Sequence, residues 1–346
     1  RRHPSKSLRS TTAEGGEATA TAASTATETA MTLEEEERVY QQQVERLRQI
    51  RDLLEGADHC MPFKTFIQTD NAGYMSRQHF WSSLTERTST LPFPTALDRT
   101  WIAYQCLAGL NNMHSRGVCH GDLKSENVMV TTSNWCVLVD PAPYKPVALP
   151  EDNPADFSFF FDSSGRRACY IAPERFYSKG GTIATVLTPA MDVFSLGCTI
   201  AEFFMDQGSG VSPALFDLSG LLDHRNGYGD PNDLMQRAGV PERVREMIVH
   251  MVQLDATKRY SAHQYMEDWS PSVFPPYFPI IHKTASSVLR LRKADERVML
   301  LADQFDSLVV QILAAEGKQS VQNESDSYQP VEGLSLLLPF LTSSIR

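Results

Sequence analysis

The residues best suited to chemistry stand in one short polar stretch, His120-Gly121-Asp122-Leu123-Lys124-Ser125-Glu126-Asn127, with Asp140 following in the next segment. The pattern D-x-K-x-x-N then D suits phosphoryl transfer. That reaction asks a protein for positioning and charge neutralisation rather than covalent help. In such a site the loop aspartate, Asp122, accepts the proton of an attacking hydroxyl, and Lys124 meets the γ-phosphate. Asn127 and Asp140 hold Mg²⁺ through oxygen ligands, and a nucleoside triphosphate is the donor. The two histidines nearby, His114 and His120, raise a zinc reading. The plainer reading of His120 is an imidazole packed and hydrogen-bonded within the loop.

These residues need rigid flanks. A helix N-capped by Asp98 carries Trp101, Ile102, Cys106, Leu110 and Met113 at helical spacing and stops at Gly117. Two β runs, Val128–Val130 and Cys136–Val139, are joined by Thr131-Thr132-Ser133-Asn134, a hairpin signal. The polar loop therefore lies between a helix and a hairpin, and Asp140 ends the second strand. A loop rich in Pro, Asp and Phe runs from Asp140 to Pro173 and closes with Ala172-Pro173-Glu174. Helices are expected at Ala190–Met205, Leu218–His224, Glu242–Leu254 and Ala262–Asp268, followed by a Pro/aromatic linker at Ser270–Pro279. A helix at Ala294–Leu313, a polar loop at Gly317–Gln329 and the apolar start of another helix at Gly333–Leu341 complete the chain. Upstream, Tyr40, Val44, Leu47, Ile50 and Leu54 mark an amphipathic helix over 38–54, with Gly56 as its C-cap. Phe63–Gln68 reads as a strand. Residues 1–32 are Ser/Thr/Ala/Gly-rich without apolar period, and disorder is expected there.

Composition excludes several classes. Lys+Arg is 32 and Asp+Glu is 42, so the net charge of −10, with no basic run, argues against nucleic acid as a partner. Hydrophobic residues at 42% describe a globular protein. No apolar run looks long enough to span a bilayer. The cysteines, Cys60, Cys106, Cys119, Cys136, Cys169 and Cys198, form no C-x-x-C pair and read as reduced, half-buried thiols. The chain opens on Arg1, which suggests part of a longer protein.

Two later segments add to the loop. Met191-Asp192-Val193-Phe194-Ser195-Leu196-Gly197-Cys198 opens an apolar helix with a single Asp, and Lys258-Arg259-Tyr260 lies between two helices. Together with the loop and Ala172-Pro173-Glu174, these resemble the C-terminal lobe of protein kinases. The resemblance implies that Asp192 braces the catalytic loop and that Arg259 pairs with Glu174. It sharpens at His120–Thr131, at Leu149-Pro150-Glu151-Asp152-Asn153-Pro154-Ala155-Asp156-Phe157 and at Cys169–Phe176. It continues through Phe216–Leu222, Arg225-Asn226-Gly227 and Ala294-Asp295-Glu296-Arg297. Over about Tyr40–Leu313 the chain is similar to the vacuolar-sorting regulatory subunit of the class III phosphatidylinositol 3-kinase.

That resemblance implies an α+β, protein-kinase-like fold over residues 33–280, mainly the helical C-lobe with most of the N-lobe sheet missing. Residues 281–346 are then the first helices of a HEAT-type α-solenoid. It implies ATP and Mg²⁺ as cofactors and classification as a serine/threonine protein kinase. It also implies the lipid-kinase catalytic subunit and autophagy or endosomal adaptors as partners. The location implied is cytoplasmic and peripheral, on endosomal or autophagic membranes, with an N-myristoyl Gly upstream of Arg1.

The departures matter too. Gly121 stands where kinases usually carry Arg, and D-F-G reads Asp140-Pro141-Ala142. Pro141 should hold Asp140 extended and limit switching. No Gly-rich loop and no strand lysine precede the first helix, where Glu45 is the acidic candidate, so this chain is expected not to turn over alone. Two functions stay open: a phosphotransferase using Asp122 and Asp140, or a nucleotide-stabilised scaffold. The aromatic cluster Phe157, Phe159, Phe160 and Phe161 reads either as core or as a partner surface.

Overall fold

The computed structural model describes residues 33–69, 72–162, 164–205, 214–315 and 336. The expected disorder of 1–32, the loop at 317–329 and, apart from Leu336, the helix start at 333–341 lie outside the described residues. The chain divides into residues 1–42 and 43–346, and among the described residues the first unit holds the opening turns of helix α1 (Leu33–Leu53).

From residue 43 onward α1 buries Val44, Leu47 and Ile50, the face its 3.6-residue period marks. Strand β1 (Cys60–Met61) follows, then an antiparallel hairpin of β2 (Thr65–Thr69) and β3 (Ala72–Ser76). Only β2 was legible in the sequence; exposed β3 lacks the apolar alternation that marks a half-buried strand. After β4 (Ser82–Ser83) and the short helix α2 (Leu84–Thr88) comes the central helix α3 (Ala96–His114). Its N-cap is Thr95, not Asp98. The Thr95 hydroxyl accepts from the Asp98 amide at 3.1 Å, and the Asp98 carboxylate accepts from the Thr95 amide at 2.9 Å. Asp98 is thus the third residue of a capping box rather than the cap. α3 is buried nearly all round, as a helix at the middle of a core must be.

Strands β5 (Val128–Val130) and β6 (Cys136–Val139) form the expected hairpin, with Met129 opposite Val137. Both are wholly buried, and they extend into a sheet of order β1-β6-β5-β4 in which β1 runs parallel to β6. The stretch after Asp140 is not a plain loop. It holds β7 (Leu149–Pro150) and α4 (Pro154–Phe160), and β7 pairs in parallel with β8 (Phe176–Tyr177). Phe157 and Phe161 are buried while Phe159 is 77% exposed, so the aromatic cluster divides between core and surface.

Helices α5 (Pro189–Met205), α6 (Leu218–Arg225), α7 (Pro231–Arg237) and α8 (Glu242–Met251) follow. A Cβ on Gly197 would lie 2.9 Å from Met251 and Val252, so glycine there lets α5 and α8 touch. Beyond α9 (Ala262–Gln264), a π-helical turn (Tyr265–Trp269) and α10 (Ser270–Val273), the expected linker gives way to α11 (Phe278–Arg290). Pro154, Pro231 and Pro279 sit in the first turns of α4, α7 and α11. In each case a proline that reads as a breaker is a starter, because its missing N–H falls where the helix has no partner for it. α12 (Ala294–Ala315) packs on α11 with Leu301, Leu308 and Ile312 buried. By length and composition α12 is apolar enough to cross a membrane, contrary to the sequence reading. Asp303 and Asp306 interrupt the apolar run and hid it.

Candidate functional site: a cation-paired cleft

The floor of the site is Asp192, at the start of α5 and 1% exposed. Its carboxylate accepts from the His120 amide at 2.7 Å, the Gly121 amide at 2.9 Å and His114 Nε2 at 3.1 Å. Burial pushes the carboxyl pKa up. The His114 hydrogen bond and charge, His120 and the Gly121 N–H outweigh it and hold the group below the ordinary carboxylate value. The polar loop is thereby suspended from an anion on α5. His120 Nε2 lies 2.9 Å from the Val139 carbonyl, while Nδ1 accepts from the Asp122 amide at 3.3 Å. Burial lowers its pKa against the pull of Asp192 and Asp122, which keeps the ring neutral. His114, Cys119 and Asp192 approach within 4.8 Å of one another, but both Asp192 oxygens are already engaged by N–H groups. Hydrogen bonds on both ring nitrogens account for His120.

Gly121 is required by the backbone. Its φ is +76°, and a Cβ would come within 2.7 Å of Leu187. The left-handed backbone strains any residue with a Cβ, and Leu187 would have to shift, so glycine is favoured where arginine is common. Buried Arg175 donates to the carbonyls of Gly121 at 2.8 Å, Pro146 at 2.9 Å and Val147 at 2.8 Å. Its guanidinium also lies 4.9 Å from the Phe161 ring centre. The segment after Asp140 is held to the loop by a residue the sequence reading did not single out.

Above this floor stand the four expected residues. Asp122 and Lys124 are both 6% exposed. Asn127 Nδ2 donates to the Asp122 carbonyl at 2.7 Å and to its carboxylate at 3.2 Å. Lys124 Nζ donates to the Phe161 carbonyl at 3.1 Å, and also lies 3.2 Å from Glu126 and 3.9 Å from Asp122. Asp122, Lys124 and Asn127 thus form one cluster. Asp140 stands apart from their hydrogen bonds but near enough to share Tyr144. Burial raises the phenol pKa of Tyr144, and the charges of Asp122 and Asp140 add to the shift.

Two cations missed in the sequence complete the site. Lys145 Nζ lies 2.7 Å from the Asp122 carboxylate. Arg77, directly after β3, grips Asp140 with its fork: Nε to Oδ1 at 2.9 Å and Nη2 to Oδ2 at 3.0 Å. Lys145 was hidden in a Pro-rich loop, and Arg77 in the strand end that the exposed hairpin concealed. Asp140 itself has φ +59°, which corrects the extended conformation expected before Pro141. Aspartate tolerates the left-handed region better than most residues, and the Arg77 fork fixes the carboxylate in that pose. Glu45, the acidic candidate on α1, is exposed and lies 3.7 Å from Arg48 on its own helix.

A second buried network anchors the segment. Tyr170 donates to Glu202 at 2.5 Å, Arg166 pairs with the same carboxylate, and Ser125 of the loop lies 3.2 Å from the Tyr170 hydroxyl. Arg259 and Glu174 form the expected pair at 2.7 and 2.9 Å; the arginine side chain is 0% exposed and the glutamate 26%.

The donor set suits Mg²⁺. Asn127 spends its amide nitrogen on Asp122, which leaves the hard amide oxygen as its free donor type, and Asp140 supplies a carboxylate that is 43% exposed. Asp140 is at present shared with Arg77. The cavity it lines, with Leu47, Phe63, Met75 and Tyr144, is about 240 Å³. That is below the roughly 300–1,000 Å³ of sites that enclose a whole small molecule.

Comparison with known proteins gives the family. The protein kinase domain family matches residues 30–270. The chain is 47% identical over 72% of its length to the probable serine/threonine-protein kinase vps15 of Dictyostelium discoideum. It is 42% identical over 68% to serine/threonine-protein kinase VPS15 of Arabidopsis thaliana, and 41% over 64% to that of Saccharomyces cerevisiae. The aligned part spans only 12%, 16% and 15% of those proteins.

Proposed function

The chain belongs to the protein kinase domain family, and from that premise we propose that it is the kinase-like part of a regulatory subunit of a class III phosphatidylinositol 3-kinase assembly. In this reading the domain binds a nucleoside triphosphate with Mg²⁺ at Asp140 and Asn127 and serves as a docking scaffold for the lipid kinase and its adaptors. It works on the cytoplasmic face of endosomal and autophagic membranes. Residues 281–346 begin a HEAT-type array, which the pairing of α11 with α12 supports, and the hairpin β2–β3 is the remnant of a small-lobe sheet.

One observation carries the scaffold reading. The carboxylate of Asp122, the expected proton acceptor, is held at 2.7 Å by Lys145 within the same chain. A buried carboxylate paired at Oδ2 with an ammonium of its own chain is a weaker base for a substrate hydroxyl, whereas Asp140 remains half-open to solvent. A catalytically active serine/threonine kinase is the second reading, favoured by the meeting of Asp122, Lys124 and Asn127 in one cluster. Phosphatidylinositol 3-phosphate production by the reconstituted assembly separates the two. The scaffold reading expects Asp140→Ala to weaken nucleotide binding and output, and Asp122→Asn to leave both intact. Equal loss in the two variants overturns it.

A further inference from the structure

Arg77 crosses from the end of the β2–β3 hairpin to the carboxylate that is expected to hold the metal. It presents one edge of its guanidinium there, Nε to one oxygen and Nη2 to the other. Its remaining donor, Nη1, bonds only the Gln78 carbonyl at 3.2 Å. The pair sits at the mouth of the cleft, with side-chain exposure of 26% for Arg77 and 43% for Asp140. It also lines the 240 Å³ cavity with Pro141 and Tyr144. The arginine is not part of the core, for the hairpin that carries it is itself exposed. A forked pair between a solvent-reachable arginine and a functional carboxylate is exchangeable, because either partner can be satisfied by something else.

We propose that Arg77 is a ligand-exchange gate that selects a metal–polyphosphate complex over either component alone. This rests on the nucleotide reading above. A free divalent cation that takes Asp140 strands the guanidinium without its anion. A free polyphosphate that takes Arg77 strands the carboxylate beside more negative charge. A nucleoside triphosphate carrying its own Mg²⁺ satisfies both at once: the cation goes to Asp140 and the phosphate oxygens to the guanidinium fork, a geometry arginine matches bidentately. No bond is made or broken in this exchange. Metal and nucleotide therefore bind with positive coupling through one side chain.

Arg77→Gln on the 346-residue chain tests the gate, because its two effects have opposite signs. Mn²⁺ alone, followed by electron paramagnetic resonance, should bind about tenfold tighter to Arg77→Gln, since Asp140 is released. A fluorescent ATP analogue in saturating Mg²⁺ should bind about tenfold weaker, since the fork is lost. Arg77→Lys, which keeps the charge without the fork, should fall between the two, and circular dichroism confirms that each variant is folded. Changes of the same sign, or none, overturn the gate. If the parent chain binds no nucleotide but Arg77→Gln still tightens Mn²⁺, the nucleotide reading of the site falls and the exchange selectivity falls with it, leaving Arg77 only a guard on the carboxylate. If nucleotide binds to parent and variant alike, the nucleotide reading stands and the gate is wrong.

Discussion

Arg259 with Glu174 and Arg77 with Asp140 are both forked arginine–carboxylate pairs, with donor–acceptor distances between 2.7 and 3.0 Å. Depth separates them. Arg259 is fully buried, and its other donors go to the carbonyls of Gln253, Ala190 and Leu254. Arg77 reaches over an exposed hairpin to a carboxylate that water can reach. The same contact is therefore architecture at one end of the lobe and a replaceable occupant at the other. This cleft has that division built in: a floor where Asp192 and Arg259 are held by several partners each, and a mouth where Arg77 and Asp140 meet within reach of water.

The comparison breaks first at the floor. Arg259→Ala leaves Glu174 without its cation and should cost about 3–5 kcal/mol, read as a drop in urea midpoint. An unchanged midpoint would mean that burial does not distinguish the pairs.

The next effect comes from buried imidazoles. Burial, and then the His282 charge, lower His59 to about 3, and burial likewise lowers His120 and His282. Each folded-state pKa lies below the unfolded value near 6.5. Stability from these groups is therefore full above about pH 6.5 and is lost as pH falls toward the folded values, by about 1.4 kcal/mol per pH unit per site. Depressed Asp192 adds to the loss only below about pH 4. Urea titrations from pH 7 to 4.5 should show this decline, and His59→Asn should flatten it by one proton's worth. A profile that is level over that range contradicts the buried-neutral assignment.

Glu202→Gln weakens the tie between Arg166, Tyr170 and α5, with an expected cost of about 1–3 kcal/mol and faster proteolysis around Arg166–Tyr170. A stable, protease-resistant variant would show that other contacts hold this segment. Arg77→Gln sits at the small end, at about 1 kcal/mol or less, because an exposed pair stabilises little. A loss as large as that of Arg259→Ala would place Arg77 in the floor rather than at the mouth.

What the sequence made legible follows the same division. Asp192, Glu174 and Arg259 were assigned through the kinase resemblance, which rests on a lone Asp in an apolar helix and on the stretches Ala172-Pro173-Glu174 and Lys258-Arg259-Tyr260. The hairpin β5–β6 and helix α3 were legible from apolar runs, and α3 misled only at its cap, where Thr95 and Asp98 are both good capping residues. Asp122, Lys124 and Asn127 were legible by spacing and do meet. Arg77 and Lys145 were not, since a surface arginine and a loop lysine look like any others until the chain folds them onto a carboxylate. Arg175 was hidden for the opposite reason: nothing local signals that an arginine beside Glu174 will be 2% exposed. The positive φ of Asp140 was missed because the rule for residues before proline describes a preference that a bidentate partner can override.

The central claim is that Asp140 remains available to a metal–nucleotide complex while Asp122 is retired behind Lys145. Its most direct test is equilibrium binding of a fluorescent ATP analogue, in Mg²⁺, to the parent chain, Asp140→Ala and Asp122→Asn. The account predicts at least about tenfold weaker binding for Asp140→Ala and a change within about twofold for Asp122→Asn. Tight binding that survives Asp140→Ala, or is lost equally in Asp122→Asn, would contradict it.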